Sequence, residues 1–178
     1  EALSSLAGLA FNHPDWIFPG IEEASFVFQG EGLGHPLIPE GERVINDIDL
    51  SGRGNILIVT GPNMAGKSTY LKTIGVNMVL GMAGGPVCAG KCLLSPLRLF
   101  TSMKVSDSLD RHLSLFYAEL QRLKMILDAL KRGDQVFFLL DEMLKGTNEL
   151  DRRAGAAAML RQLVERDAIG LVATHDLD

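Results

Sequence analysis

The chain has 178 residues, 47% hydrophobic and 22% charged, which is enough for one ordinary globular domain burying roughly two-thirds of its unfolded surface and excludes disorder and collagen-like repeats. Seventeen Lys and Arg stand against 22 Asp and Glu, a formal net charge of −5, so the surface as a whole lacks the basic footprint that dominates phosphate-backbone binding. Glycine is the deviation: 19 residues, about 11% against a usual ~7%.

Cys88 and Cys92 form a lone C-x3-C, too little for a zinc site or a disulfide framework, and are expected to be small reduced side chains. No apolar run approaches the ~18 residues of a membrane span, and Glu1 to Ala10 lacks the basic start of a signal peptide. The expected location is cytoplasmic. With Glu1 in place of an initiating Met, and Asp178 directly after an apolar run, the chain is expected to be a segment of something longer.

In chain order, residues 1–40 are irregular in pattern, punctuated by Pro14, Pro19, Pro36, Pro39, Gly30, Gly32 and Gly34. Only short strands fit there, such as Ser25 to Gln29, with Trp16, Phe18, Phe26 and Phe28 expected as the core of a small subdomain. From Val44 to Leu50, Ile48 and Leu50 alternate with Asp47 and Asp49, the period-2 sign of a half-buried strand. Asn55 to Thr60 reads NILIVT between glycines, as expected of a central strand buried on both faces. After a glycine-rich loop, Leu71, Ile74, Met78 and Met82 recur at helical spacing up to the stop Gly84-Gly85-Pro86.

A longer helix is predicted from Ser106 to Arg132, where Leu109, Leu113, Phe116, Leu120, Leu123, Leu127 and Leu130 form an apolar stripe. Its four-three spacing resembles a coiled-coil seam, but with only about three heptads it is read as the face that covers a sheet. Gln135 to Leu140 and Ile169 to Thr174 are strands. Between them Asp151 to Arg166 is a helix, with Ala156, Met159, Leu160, Leu163 and Val164 on one face. Strands alternating with helices predict an α/β fold with a mostly parallel central sheet, and the earlier strands a small antiparallel subdomain.

Gly61-Pro62-Asn63-Met64-Ala65-Gly66-Lys67-Ser68 is a full G-x-x-x-x-G-K-[ST], set between a predicted strand and a predicted helix. Glycine lets backbone N–H groups converge on phosphate oxygens. The following helix N-terminus adds positive potential, Lys67 reaches the β- and γ-phosphates, and the Ser68 hydroxyl completes a magnesium shell. Strand 136–140 delivers Asp141 and Glu142 at its carboxyl end, the end where ligands sit in open α/β sheets. Asp141 is expected to hold Mg2+, and Glu142 to orient and deprotonate the attacking water. An acidic pair after a strand is also a common solvated loop start; the phosphate loop upstream gives it meaning. His175 follows the third strand, where a histidine can sense a γ-phosphate.

These residues resemble a known family. GPNMAGKSTYLKTIG from Gly61 to Gly75, LLDEMLKGTNELD from Leu139 to Asp151 and ATHD from Ala173 to Asp176 are together similar to the ATPase domain of MutS, the DNA mismatch-repair protein, and its relatives. The likeness runs from about His35-Pro36 to the end. It implies an ABC-type P-loop ATPase over residues 41–178, lacking its C-terminal helices, preceded at 1–40 by the end of a lever region and a linker. It also implies a homodimer with composite ATP sites, and DNA held by domains outside this segment.

Position by position, the resemblance assigns Asn63, Gly66, Lys67, Ser68 and Thr69 to the phosphate loop, Asp141 and Glu142 to Walker B, Gly146-Thr147-Asn148 to an interface-shaping turn, and His175 to a switch histidine. Ser114-Leu115-Phe116-Tyr117-Ala118-Glu119 is similar to the family signature that reaches across the dimer through Ser114, although His112-Leu113 and Leu115 replace the Gly-Arg and Thr expected around it. Val44 or Ile45 stands where an aromatic would stack on adenine. The expected function is Mg-dependent ATP hydrolysis driving a DNA-binding clamp in mismatch or related repair. Alternatives are a MutS-like paralogue that does not act on mismatches and an ABC-type ATPase of a transporter or chromosome-structure protein, which would carry L-S-G-G-Q where this chain has Leu113-Ser114-Leu115-Phe116. A P-loop kinase, or a module that binds ATP and barely hydrolyses it, are further readings.

Overall fold

A computed structural model describes residues 1–103, 112–144 and 147–175, with only the backbone for 112–115. The chain forms two compact units that do not follow chain order: residues 1–52 with 69–96, and residues 53–68 with 97–178.

The first unit opens with helix α1 (Ala2–Asn12), which buries no residue. From its later prolines and glycines, segment 1–40 reads as irregular throughout, which passes over this stretch although it is itself rich in the helix formers Ala and Leu. Strands β1 (Gly20–Ile21), β2 (Val27–Leu33), β3 (Asn46–Ser51) and β5 (Lys91–Leu94) form a sheet in the order β1-β5-β2-β3. β2 runs antiparallel to β3 and β5, and β1 parallel to β5. β2 is longer than expected because Gly30 and Gly32 lie inside it. The register shifts between Gly30 and Leu33, and Gly32, at φ +63, donates its N–H to Asp47 Oδ1 at 2.7 Å, a bulge where a turn was expected.

Ile48 and Leu50 point inward on β3 as the alternation predicts. Phe26 and Phe28 are buried, but Phe18 is 65% exposed. Trp16 is half-buried and stacks on His13 at 4.0 Å between ring centroids. Helix α2 (Lys67–Met82) buries Leu71, Ile74 and Met78 and stops before Gly84, whose φ of +79 suits only glycine at low cost. Asn77, fully buried on α2, donates through Nδ2 to the carbonyls of Gly34 (2.9 Å) and Thr73 (2.8 Å) and accepts the Cys88 N–H at 2.7 Å. Both cysteines are free and buried.

The second unit carries a wholly parallel sheet, β4-β8-β7-β6, from β4 (Ile56–Thr60), β6 (Arg98–Ser102), β7 (Val136–Asp141) and β8 (Ile169–Thr174). Its centre is β7, buried at all six positions. β4 was expected to be central, but among the described residues it lies at the sheet's end, paired with β8, and Ile58 is 52% exposed; an apolar run alone does not distinguish the two placements. At Gly170 of β8 a Cβ would run into the Phe138 carbonyl of β7, so glycine is required for this strand pair to close.

Helix α3 (His112–Lys131) ends at Gly133 (φ +83) in the predicted order. Its buried face is Leu123, Ile126, Ala129 and Leu130, clustered with Val136, Phe138 and Leu140 of β7. Ile126 and Ala129 extend the expected stripe, and Leu120 is 40% exposed. Helix α4 (Glu149–Glu165) starts at Asn148, whose side chain accepts the Asp151 N–H at 3.0 Å. It buries Met159 and Leu163, while Val164 faces out. No helix among the described residues is long and apolar enough to cross a membrane.

Candidate functional site at the strand ends

Parallel pairing decides what meets what in the second unit. Thr60 of β4 pairs with Thr174 of β8, and Asp141 of β7 with Ala173, so the residues that follow all three strands emerge along one edge. These are the phosphate loop, Glu142 and His175. An unbroken apolar run terminated by polar residues builds each strand, and the sheet aligns their carboxyl ends.

The loop has the backbone its glycines allow: φ is +154 at Gly61 and +92 at Gly66. Met64 also takes a left-handed conformation, φ +65, with its side chain fully exposed. Lys67, only 8% exposed, donates from Nζ to the carbonyls of Gly61 at 2.6 Å and Pro62 at 2.9 Å. The ammonium is thus held in the mouth of the loop. Ser68 Oγ donates to Asp141 Oδ2 at 2.6 Å, joining residues 73 positions apart. A hydroxyl and a carboxylate in this contact are hard oxygen donors of the kind Mg2+ prefers. Among the described residues no group of three or more His, Cys, Asp or Glu is arranged to hold a metal.

Beyond Asp141, Glu142 adopts φ +57 and donates its N–H to the Ala173 carbonyl at 2.9 Å. Its carboxylate Oε1 lies 3.2 Å from His175 Nδ1. The side chain of Glu142 is 18% exposed and that of His175 42%, so the pair is reachable by water. Leu144, also left-handed at φ +58, donates its N–H to Glu119 Oε1 of α3 at 2.5 Å. This link was missed, because sequence comparison alone ties Glu119 to the serine motif and says nothing of the turn it supports.

Other expected residues belong to the first unit or lie outside the described residues. Val44 and Ile45 are exposed residues ahead of β3 in the first unit, where Ile45 lines a cavity of about 590 Å3 together with Trp16, Arg43 and Cys88. Thr69 belongs to the body of α2 and accepts the Thr73 hydroxyl at 2.8 Å. The Ser114 side chain, Gly146 and Asp176 lie outside the described residues. Cys88 Sγ accepts from Arg43 at 3.0 Å, and burial pushes the Cys92 thiol up to about 11.

A parallel α/β unit whose strand, glycine loop and helix present a buried lysine beside an acid-tipped strand belongs to the P-loop class. Within that class the MutS domain V profile matches residues 57–178, and the chain belongs to the MutS family. It is 37% identical over 142 residues to the endonuclease MutS2 of Thermus thermophilus, covering 79% of this chain and 18% of that protein. It is 32% identical over 182 residues to the DNA mismatch repair protein MutS of Fusobacterium nucleatum, covering 98% and 20%, and 32% identical over 180 residues to that of Thermotoga maritima, covering 98% and 22%. The chain thus spans about a fifth of the length of these relatives.

Proposed function

We propose that this chain is the ATPase engine of a DNA-repair clamp. It binds ATP with Mg2+, hydrolyses it to ADP and phosphate, and uses the cycle to change the conformation of DNA-holding parts of a homodimer in mismatch repair or related DNA repair. In this reading residues 41–178 are an ABC-type ATPase domain and 1–40 end a lever region. The observation that carries it is the 2.6 Å contact of Ser68 with Asp141, which joins phosphate loop to acidic strand end as a magnesium nucleotide requires.

The residues divide the work. Amides of the loop from Gly61 through Asn63, Met64 and Ala65 to Gly66 face phosphate oxygens. Those oxygens are stronger acceptors than neutral carbonyls, so they draw the Lys67 ammonium away from Gly61 and Pro62. Mg2+, held by Ser68 and Asp141, supplies charge neutralisation at the phosphates. Glu142 accepts a proton from water as its oxygen bonds to the γ-phosphorus, the bond to the β–γ bridging oxygen breaks, and ADP leaves. His175 orients the Glu142 carboxylate. Thr69 extends the loop's donor set, Val44 or Ile45 gives adenine apolar contact, and Ser114 reaches the γ-phosphate of the partner. Loss of that phosphate removes the cross-subunit contact and reopens the dimer, a population shift.

Steady-state phosphate release by the whole native protein tests the assignment. Glu142→Ala should reduce turnover at least about 100-fold, the lower range for a lost general base, and Lys67→Ala should abolish it by removing the cation at the phosphates; unchanged turnover in both would remove the site. A second reading has its own support in the 37% identity to an endonuclease MutS2: the same engine in a MutS-like protein that does not act on mismatches. Stimulation of turnover by mismatched duplex over perfect and branched duplex favours the first reading, and the reverse order favours the second.

A further inference from the structure

The turn after β7 is strained and has a brace. Within three positions Glu142 and Leu144 both take left-handed backbone, φ +57 and +58, a conformation unfavourable for a non-glycine residue that persists only where the surroundings over-determine it. One fastening comes from β8, through the Ala173 carbonyl. The other comes from α3, where Glu119, 25 positions earlier, offers Oε1 to the Leu144 N–H at 2.5 Å. A carboxylate acceptor makes this a charge-assisted bond, stronger than a neutral one.

Neither end of the brace is free to drift. Leu123, Ile126, Ala129 and Leu130 seat α3 in the same buried cluster as Met143 and Leu144. The Leu144 side chain in turn lies so close over Gly155 of α4 that a Cβ there would meet its methyl. The backbone that aims Glu142 is therefore clamped between β8, α3 and α4.

We propose that Glu119 is a positioning residue for hydrolysis: by holding the Leu144 N–H it fixes the turn that points the Glu142 carboxylate, and it makes the placement of α3 a determinant of that aim. This rests on the ATPase reading above. It adds a role within one subunit to a segment whose family resemblance concerns only the partner's nucleotide.

The test compares Glu119→Ala and Glu119→Gln in the whole native protein, with Lys67→Ala as control. Glu119→Ala should lower kcat about 10- to 100-fold, the scale expected for roughly 1 Å of misplacement, while KM and the Kd for a non-hydrolysable ATP analogue stay within about threefold. Glu119→Gln keeps an acceptor oxygen and should restore kcat to within about fivefold of wild type. Amide hydrogen exchange at residues 142–144 should accelerate in the Ala variant and not in the Gln variant. Wild-type kcat in Glu119→Ala, or Gln as impaired as Ala, would overturn the proposal while Lys67-dependent turnover in the parent left the ATPase reading standing. A parent without Lys67-dependent turnover would remove both.

Discussion

Ser68 and Asp141 are held together by a single short hydrogen bond, and the ion proposed for this place needs both oxygens. Asp141→Asn keeps size and an oxygen but removes the charge. It should shift the Mg2+ concentration for half-maximal turnover upward by about 10-fold or more, since each charge-assisted contact contributes roughly 1.5–3 kcal/mol; a magnesium titration of wild type and variant measures it, and an unmoved midpoint would detach Asp141 from the metal. Cys92 offers a test remote from the site. Burial raises its thiol to about 11, so the folded chain keeps a proton that an unfolded thiol, at its ordinary value of ~8.5, gives up. Folded chains then bind more protons than unfolded ones between those values, and stability falls as pH rises through that window. Urea unfolding from pH 8 to 11 should show a steeper decline in wild type than in Cys92→Ala; parallel curves would contradict the buried-thiol account. At this scale a residue type at a set spacing is legible in the sequence, and the structure holds Lys67 within the glycine loop and Ser68 against Asp141, with Glu142 next along the chain. The sequence named Glu119 only as part of a motif and was silent on Asn77; the partners of both are backbone groups, which leave no mark in the sequence.

Elements were legible in proportion to their periodicity. β8, the β3 alternation and the glycine-terminated ends of α2 and α3 follow the pattern closely. β5 and β6 were missed, being four- and five-residue strands too short to show a period, and β4 was misplaced within its sheet because apolar composition reports burial potential and not neighbours. The least obvious element tie is Asn77. Replacing it with Ala strands the Cys88 N–H and Gly34 carbonyl, each buried unpaired group costing roughly 1–3 kcal/mol. Thermal unfolding of Asn77→Ala should therefore show a Tm lower by on the order of 5–10 °C, with nucleotide turnover retained below the transition. A Tm within a degree of wild type would show that the loops at 34 and 88 do not depend on α2.

For the whole molecule, the charge of −5 and membership of the MutS family are consistent with the proposal that this chain powers DNA handling rather than gripping DNA itself. The glycine excess divides among the left-handed or extended loop positions Gly61 and Gly66 of the proposed phosphate site, helix stops at Gly84 and Gly133, and close strand approach at Gly170, so composition alone could not have pointed to one cause. In the proposed cycle the strand ends of the parallel sheet hydrolyse ATP through Glu142. Single-turnover hydrolysis by the whole native protein, wild type against Glu142→Gln with ATP binding measured in parallel, tests it most directly. ATP should bind both proteins, with cleavage slowed at least about 100-fold in the variant; equal cleavage rates at equal occupancy would rule out Glu142 as the base.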